Sequence, residues 1–542
     1  MQFTSVILFF LSLSAVNSLK ILIVNPVFGR SHLMFLGKLA DTYVKGGHEV
    51  VIFEPDLAGD DPILNVTSSH LARIIRRPKD FELDHPFSKV QEQTWTLDTG
   101  DSIKAFEAML ACSKAFALSC ESILTDGKLL ADLRAEKFDI AVAEFLTVCP
   151  YALYKQIGIK KYITASATPL GSSMLSYMGV ASAYSFVPEF FRVPPIKMSF
   201  MQRLENLIGA KLAELFFFNY FIGDVIKVVR IRIPEFDFAN ALSESSYVFV
   251  NAEEHLNYPQ PITHKIINVG GLGLNKPKPL SDNMIVILDF KEYEKILTSS
   301  KRGVVLVSFG SIAQSANMPP AIKQAFLDTF SAFPDLTFIW KYENSSDNIA
   351  ANHSNLHTRS WTPQLDLLAD KRVIGFLTHG GINSIAEACI HGTNLICVPL
   401  FGDQLRNCKM LEERKLGVSL GKTELSDSNV IINAIKTITE NAEYSARAKE
   451  TSEMMQNKPM SPAEAVLRYT EFAARFDVAS SLDIYGRRLN VIAFYNLDIF
   501  AFLILLVFLL LYVSFVVLRY AFRFSFRLFG KFPTKSTKSK SE

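Results

Sequence analysis

The stretch from Trp361 to Gln404 constrains the fold of this chain most strongly, because it contains two apolar runs separated by a helix-length segment. VIGFL (373–377) and LICVPL (395–400) are short and continuously apolar, which is typical of parallel strands buried on both faces. The segment between them predicts a helix that begins near Asn383 and ends at Gly392, because glycine commonly ends a helix. This alternation favours an α/β fold with a parallel sheet.

Polar residues follow both predicted strands. Thr378-His379-Gly380-Gly381 comes after the first strand, and Asp403-Gln404 begins the helix after the second. Ligands of open α/β sheets bind beyond the carboxyl ends of the strands, so these residues are expected at one site. The unpaired backbone N–H groups at the start of the first helix would face and stabilise a diphosphate. The stretch therefore predicts a nucleotide-sugar site.

With this spacing, the stretch resembles the signature of the UDP-dependent glycosyltransferases without a gap. The resemblance implies that Trp361 stacks on uracil, that Gln364 contacts the nucleoside and that Glu387 bonds the ribose hydroxyls. It also implies a set of diphosphate and sugar ligands: Thr378, His379, Gly381, Asn383 and Ser384 for the diphosphate, and Asp403 and Gln404 for the sugar. Ser311, which ends the run VVLVSFGS (304–311), is a further donor-side candidate. An indole suits a flat base, a carboxylate suits vicinal hydroxyls, and N–H and O–H donors suit phosphate oxygens.

Each of these residue types also has an ordinary structural explanation when it is taken alone. A lone Trp usually belongs to the core, a Gly-Gly pair usually forms a turn, and a helical Glu usually faces solvent. The combined spacing favours the functional interpretation.

The rest of the chain predicts a second, similar half. LKILIV (19–24) and EVVIF (49–53) flank a helix-patterned segment, and VVLVSFGS and LTFIW (336–340) precede the signature. The family resemblance implies the GT-B architecture, in which two Rossmann-like α/β domains face a cleft. The predicted divisions are a signal peptide at 1–18, an acceptor domain at 19–275, a Pro-rich linker near 275–283, a donor domain at 284–445, helices that pack back at 446–498, a transmembrane helix at 499–518 and a basic tail at 519–542.

The cleft needs a base, because a hydroxyl group is a poor nucleophile until its proton is removed. Histidine is the side chain whose ordinary pKa lies nearest neutrality. His32 lies in the loop after the first strand, where the family places its catalytic histidine. Glu144 ends the run FDIAVAE (138–144) and is the candidate to orient the imidazole. The chain departs here from the commonest family pattern, which has Asp before Pro where this sequence has Glu144-Phe145.

One base without a second carboxylate nucleophile implies a single displacement with inversion. Departure of UDP would be assisted by His379 and the helix dipole. The chain has no Asp-x-Asp motif, so no metal or other cofactor is expected, and the UDP-sugar is a substrate.

Both ends of the chain indicate a membrane. VILFFLSLSAV (6–16) is typical of a cleavable signal peptide, and IFAFLILLVFLLLYVSFVVL (499–518) has the length and apolarity of a transmembrane helix. The basic residues beyond it place the tail in the cytosol and the body in the lumen. The last residues, KSKSE, resemble a dilysine signal for retrieval to the endoplasmic reticulum. The alternative is a basic tail that only contacts anionic lipid.

A lumenal body gives meaning to the acceptor triplets for glycosylation that begin at Asn65, Asn344 and Asn352. The six cysteines show neither CxxC nor zinc spacing, and we interpret most of them as buried thiols without a disulfide framework.

The acceptor side is less specific. LAELFFFNYFIGDVI (212–226) is a strongly apolar helix candidate that could line an acceptor pocket, lie on the membrane surface or belong to the core. Arg302, Arg359 and Arg406 lie near the signature as candidate cations for a glucuronate carboxylate, without a decisive position. The net charge of +2 and the lack of a basic patch argue against nucleic acid. The oligomeric state, including a homo-oligomer, stays open.

Together these patterns predict a single-pass membrane enzyme of the endoplasmic reticulum. It would transfer glucuronic acid or glucose from the UDP-sugar to small lipophilic acceptors, as in detoxification. Two alternatives stay open: a UDP-glucosyltransferase for an endogenous lipid, and a catalytically silent membrane protein that only binds the sugar nucleotide.

Overall fold

The computed structural model describes residues 18–59, 61, 64–83, 94–95, 102–189, 193–216, 220–274 and 284–530. The predicted signal peptide apart from Ser18, the predicted linker at 275–283 and the end of the basic tail, 531–542, lie outside these residues.

The N-terminal half is built on one parallel sheet. Its strands are β1 (Lys20–Val24), β2 (Glu49–Pro55), β3 (Arg73–Arg77), β4 (Ile140–Glu144), β5 (Tyr162–Ser166), β6 (Val248–Val250) and β7 (Ile266–Asn268). Their order across the sheet is β3-β2-β1-β4-β5-β6-β7. The strand order therefore changes direction between β1 and β4, which creates a crevice at their carboxyl ends.

Helices cover both faces of this sheet. They are α1 (Arg30–Lys45), α2 (Ser102–Thr125), α3 (Gly127–Ala135), α4 (Cys149–Ile157), α5 (Ser172–Ser176), α6 (Phe200–Phe216), α7 (Gly223–Arg232) and α8 (Phe238–Ser243). Alternate residues of one strand enter separate cores: Leu22 packs with residues of α2 and α4, and Ile23 packs with residues of α1. Burial on both faces explains why the strands are continuously apolar.

The C-terminal half repeats this plan. Its strands are β8 (Gly303–Ser308), β9 (Leu336–Lys341), β10 (Leu356–Arg359), β11 (Val373–Thr378), β12 (Asn394–Cys397) and β13 (Gly417–Ser419). They are parallel and ordered β10-β9-β8-β11-β12-β13, so a second crevice lies between β8 and β11. Its helices are α9 (Met284–Ser299), α10 (Pro320–Ser331), α11 (Gln364–Ala369), α12 (Ile382–His391), α13 (Gln404–Glu413), α14 (Ser428–Glu440) and α15 (Ala442–Gln456).

The chain then returns to the N-terminal half through α16 (Pro462–Arg475) and α17 (Val478–Ser481). Val466 and Ala473 of α16 are buried in the core beside α1. The hydroxyls of Tyr43 and Thr470 lie 2.9 Å apart, and Lys161 donates to the carbonyl of Ala474 at 2.6 Å. The C-terminal segment thus packs back on the first half. The predicted division after residue 445 falls inside α15, which packs in the core of the second half.

A second unit begins at Ile484. It contains α18 (Val491–Phe494) and α19 (Leu497–Phe529). By length and composition, α19 is the one helix among the described residues that could cross a bilayer. It extends beyond the predicted span 499–518 at both ends.

One prediction about local structure is wrong. The run 212–226 is not one helix, because Ile222 lies outside a helix directly before α7, which begins at Gly223. β8 ends at Ser308, so Ser311 lies in the following loop.

The interpretation of most cysteines as thiols is also wrong. Cys120 is bonded to Cys149 and Cys397 to Cys408, while Cys112 and Cys389 are free and buried. The paired cysteines lie 29 and 11 positions apart in the sequence, but in each pair the Cα atoms are 5.5 Å apart. This spacing is typical of a disulfide and is set by tertiary packing, which no short motif encodes.

Candidate active site

Trp361 lies just beyond β10, at the carboxyl edge of the second sheet. Its side chain is 60% exposed, which is unusual for so large an apolar group. The guanidinium carbon of Arg30 lies 5.5 Å from the ring centroid, and Nζ of Lys341 lies 5.7 Å from it. An exposed indole held beside two cations suits the stacking of a flat base next to a negatively charged group.

Gln364, Ser384 and Glu387 form one hydrogen-bonded cluster between α11 and α12. Nε2 of Gln364 donates to Ser384 Oγ at 3.1 Å and to Glu387 Oε2 at 2.7 Å. Burial raises the pKa of Glu387, and the hydrogen bond from Gln364 opposes that rise. The structure therefore brings together three residues assigned to the nucleoside, ribose and diphosphate.

His379 follows β11 and is held between two glycines. A Cβ atom added at Gly310 would lie 2.8 Å from His379 Cε1, and one added at Gly381 would lie 2.6 Å from Nε2. No larger residue fits at either position without displacing the ring. Burial, together with the nearby charge of Lys341, lowers the pKa of His379 to about 4. The imidazole is therefore neutral at physiological pH and retains one N–H donor.

The other predicted diphosphate ligands lie around His379. Thr378 is buried at the end of β11, with Oγ1 3.4 Å from His379 Nδ1. Asn383 is half-buried in the first turn of α12, and its Oδ1 accepts from Asn251 Nδ2 of the first half at 3.0 Å. Ser311 is partly buried directly after Gly310. The two halves of the chain thus meet at the start of α12.

Lys341 was missed in the sequence. It ends β9, is only 6% exposed, and its Nζ donates to the Gly310 carbonyl at 2.9 Å and to Glu343 Oε1 at 2.8 Å. The strand LTFIW continues by one residue into this lysine, so a basic residue at a strand's carboxyl end was the available signal. It places a buried ammonium group beside His379.

Asp403 and Gln404 begin α13, as predicted. Gln404 Oε1 accepts from the backbone N–H groups of Leu400 and Phe401, at 2.8 and 3.0 Å, so this oxygen shapes the preceding loop. Asn407 donates to Asp403 Oδ2 at 2.7 Å. Burial raises the pKa of Asp403, and the bond from Asn407 and the charges of His32 and Arg406 oppose this rise.

His32 and Glu144 meet in the crevice of the first sheet. Nδ1 of His32 lies 3.4 Å from Oε2 of Glu144, which is 1% exposed. The Ala167 N–H donates to the other carboxylate oxygen at 3.5 Å. The charge of His32 acts on Asp403, so these two residues of different halves lie within electrostatic range of each other. From the end of β4, the Glu144 side chain comes within ion-pair distance of the imidazole, but these two atoms form no hydrogen bond.

The three arginines considered for a donor carboxylate are engaged elsewhere. Arg302 precedes β8, at the opposite edge of the sheet, and pairs with Asp335 at 3.2 Å. Arg359 pairs with Glu292. Arg406 is fully buried and donates to the Pro188 carbonyl at 3.3 Å and to Asn257 Oδ1 at 2.9 Å, so it joins the two halves.

Two parallel-sheet halves, with a histidine–carboxylate pair in one crevice and a nucleotide-type site in the other, define a sugar-nucleotide-dependent glycosyltransferase. The model of the family described as "UDP-glucoronosyl and UDP-glucosyl transferase" matches residues 20–532. The chain belongs to this family, and the predicted family, enzyme class and two-domain GT-B fold are confirmed.

Relatives agree with this family assignment, and a solved structure agrees with the fold. The chain is 29% identical to ugt-48 of Caenorhabditis elegans, whose name places it among UDP-glucuronosyltransferases, over 91% of this chain and 93% of that one. It is 27% identical to UDP-glucosyltransferase 2 of Dactylopius coccus over 92% of each chain. A UDP-glucosyltransferase of Polygonum tinctorium, described as capable of glucosylating indoxyl, has the same fold, with a TM-score of 0.56, 17% identity, and coverage of 85% of this chain and 100% of that one.

Proposed function

We propose that the chain transfers glucuronic acid or glucose from its UDP-sugar to a small lipophilic acceptor, with inversion at the anomeric carbon. The observation that carries this proposal is the His32–Glu144 pair in the first half, which lies within electrostatic range of Asp403 in the second. A base in one half and a donor site in the other can bring an acceptor hydroxyl to the sugar.

His32 is the base in this reaction. Its Nδ1 faces Glu144, so Nε2 is the atom that takes the acceptor proton. As that proton leaves, the acceptor oxygen forms a bond to the anomeric carbon, and the bond between this carbon and UDP breaks. Glu144 stabilises the imidazolium that results.

The negative charge that develops on UDP is stabilised by groups of the second half. Neutral His379 donates a hydrogen bond, the N–H groups at the start of α12 add theirs, and the ammonium group of Lys341, which also pairs with Glu343, contributes positive charge. With this charge in place, we propose that the reaction needs no metal ion.

The surroundings of His32 favour an apolar acceptor. The ring of Phe28 lies 4.8 Å from His32, and that of Phe116 lies 5.2 Å from Phe28. Both phenylalanines are buried in the core of the first half. An aromatic wall beside the base suits phenols and other lipophilic alcohols better than highly hydrated acceptors.

We place the enzyme in the membrane of the endoplasmic reticulum, anchored by α19, with a lumenal body and a cytosolic tail. The length and apolarity of α19 support the anchor. Asn65, Asn344 and Asn352 are all exposed, as glycosylation in the lumen requires.

Substitution of His32 tests the proposed base. His32→Ala lowers kcat with a phenolic acceptor by about 10²- to 10⁴-fold, because proton removal loses its acceptor group. His70→Ala, which changes an exposed histidine of the same half, leaves kcat unchanged. UDP release in microsomes measures both. Equal turnover of His32→Ala and the parent enzyme contradicts the assignment.

A further inference from the structure

The disulfide Cys397–Cys408 closes the loop proposed to hold the donor sugar. Cys397 is the last residue of β12, and Cys408 lies in the first half of α13. The chain between them contains Asp403 and Gln404. Both sulfur-bearing residues are fully buried, and their Cα atoms lie 5.5 Å apart. The covalent bond therefore links the two ends of the segment 397–408, which we call the sugar loop.

The same disulfide lies directly against residues 378–381, which we call the diphosphate loop after the ligands predicted there. A Cβ atom added at Gly380 would lie 2.5 Å from Cys408 Sγ and 2.6 Å from Cys397 Sγ. Gly380 has φ +86°, so its backbone already adopts a conformation that other residues rarely take. Asn407 donates to the Gly380 carbonyl at 3.1 Å as well as to Asp403. The bonded sulfurs thus pack directly against the backbone between His379 and Gly381.

We propose that this disulfide is a positioning group for the donor, which holds the sugar loop in register with the diphosphate loop. The inference rests on the proposed donor roles of Asp403, Gln404 and His379. Two unbonded sulfurs need roughly 1.5 Å more separation than a bonded pair. Because Gly380 fills the space above them, reduction displaces either the diphosphate loop or the start of α13.

Reduction by a dithiol supplies the chemistry. The dithiol transfers two electrons and two protons to the S–S bond, and becomes a cyclic disulfide while Cys397 and Cys408 become thiols. Reduction of the bond moves Asp403 and Gln404 away from His379. It leaves His32 and Glu144, which lie in the first half of the chain, in place. The KM for the UDP-sugar therefore rises, and the KM for the acceptor does not.

The second disulfide provides a matched control. Cys120–Cys149 joins α2 to the start of α4 in the first half, where both residues line an apolar cavity with Val24 and Pro55. It touches none of the donor residues. Loss of this bond affects the acceptor half.

Steady-state kinetics of the full-length enzyme in microsomes test the proposal. Cys397→Ala combined with Cys408→Ala raises the KM for the UDP-sugar by about tenfold, and lowers kcat less than that. Cys120→Ala combined with Cys149→Ala leaves the donor KM unchanged. An unchanged donor KM in the first pair overturns the proposal.

A second measurement uses the parent enzyme and does not depend on how the variants fold. The enzyme is treated with dithiothreitol, with or without saturating UDP, then labelled with a maleimide and mapped by peptide mass spectrometry. Since coupling is reciprocal at equilibrium, UDP lowers the ratio of reduced to oxidised Cys397–Cys408 several-fold in a fixed dithiothreitol redox buffer, and does not lower that of Cys120–Cys149. Equal ratios at Cys397–Cys408 with and without UDP contradict the inference. Failure of the proposed transfer shows separately, as a parent enzyme that binds UDP but releases none from the UDP-sugar with any acceptor.

Discussion

At the scale of single residues, the site depends on charged and polar groups placed at strand ends. Three groups from separate segments act on one another there: Lys341 at the end of β9, His379 after β11 and the Gly310 carbonyl after β8. The spacing in the sequence indicated His379 because it lies inside a recognisable run. Lys341 lies outside that run. Its place at the end of a predicted strand was a signal in the sequence, and the pairing of β9 with β8 shows that it lies at the same crevice.

Removal of the Lys341 charge weakens donor binding. Lys341→Met raises the KM for the UDP-sugar by about 10- to 100-fold, because hydrogen bonds to charged groups contribute about 1.5–3 kcal/mol. Lys341→Arg retains the positive charge and restores much of the loss. Lys371→Met, at an exposed position in the same half, serves as control. A donor KM for Lys341→Met that matches the parent enzyme rules out a role of this charge in binding.

The depressed pKa of His379 makes stability depend on pH. In the unfolded chain this ring takes up a proton below its ordinary value of 6.5, but in the folded chain it does so only near pH 4. The unfolded state binds more protons between these values, so the ring lowers stability as the pH falls from 6.5 to 4. His379→Gln therefore loses less of its thermal midpoint between pH 7 and pH 5 than the parent enzyme. Parallel losses in the two proteins contradict this cause.

At the scale of elements, continuous apolar runs predicted the central strands well, since these strands are buried on both faces. Hydrophobicity alone could not divide residues 212–226 between α6 and α7, because it carries no information on where a helix ends. The signature residues were predicted to lie together, and the structure joins Gln364, Ser384 and Glu387 of α11 and α12 by hydrogen bonds, while Asn407 of α13 donates to the Gly380 carbonyl. The disulfides were not predictable, because each depends on how β12, α13, α2 and α4 pack.

The loop between β11 and α12 tolerates no side chain at Gly380. Gly380→Ala forces a Cβ into both sulfurs of Cys397–Cys408 and strains a backbone with φ +86°, so the free energy of unfolding falls by about 1–3 kcal/mol. Gly209→Ala, within α6 and with open space around its Cβ, raises it by about 0.5–1 kcal/mol. Thermal midpoints measure both. A Gly380→Ala midpoint equal to that of Gly209→Ala contradicts the packing described.

At the scale of the whole molecule, the two halves are joined by several polar contacts across the cleft. Asn251 meets Asn383, Arg406 meets the Pro188 carbonyl, and the Trp95 indole donates to the Gln314 carbonyl at 2.8 Å. The two-domain plan was predictable from repeated strand–helix patterns. The polar contacts between the two halves were not predictable, because they join residues far apart in sequence and follow no local pattern.

The proposed orientation of the anchor has a direct test. In sealed microsomes, an added protease removes an epitope tag at the C-terminus but leaves the body intact, because the proposed orientation places the basic tail in the cytosol and the body in the lumen. Detergent makes the body accessible as well. Digestion of the body in sealed vesicles contradicts the proposed topology.

The central claim is that one base in the first half activates an acceptor against a UDP-sugar held by the second. The most direct test is the anomeric configuration of the product formed from UDP-glucose or UDP-glucuronate and a phenol, measured by NMR after the product mass has identified the donor. We predict a β-linked product from the α-linked donor. An α-linked product requires a mechanism other than single displacement by His32 and contradicts the account.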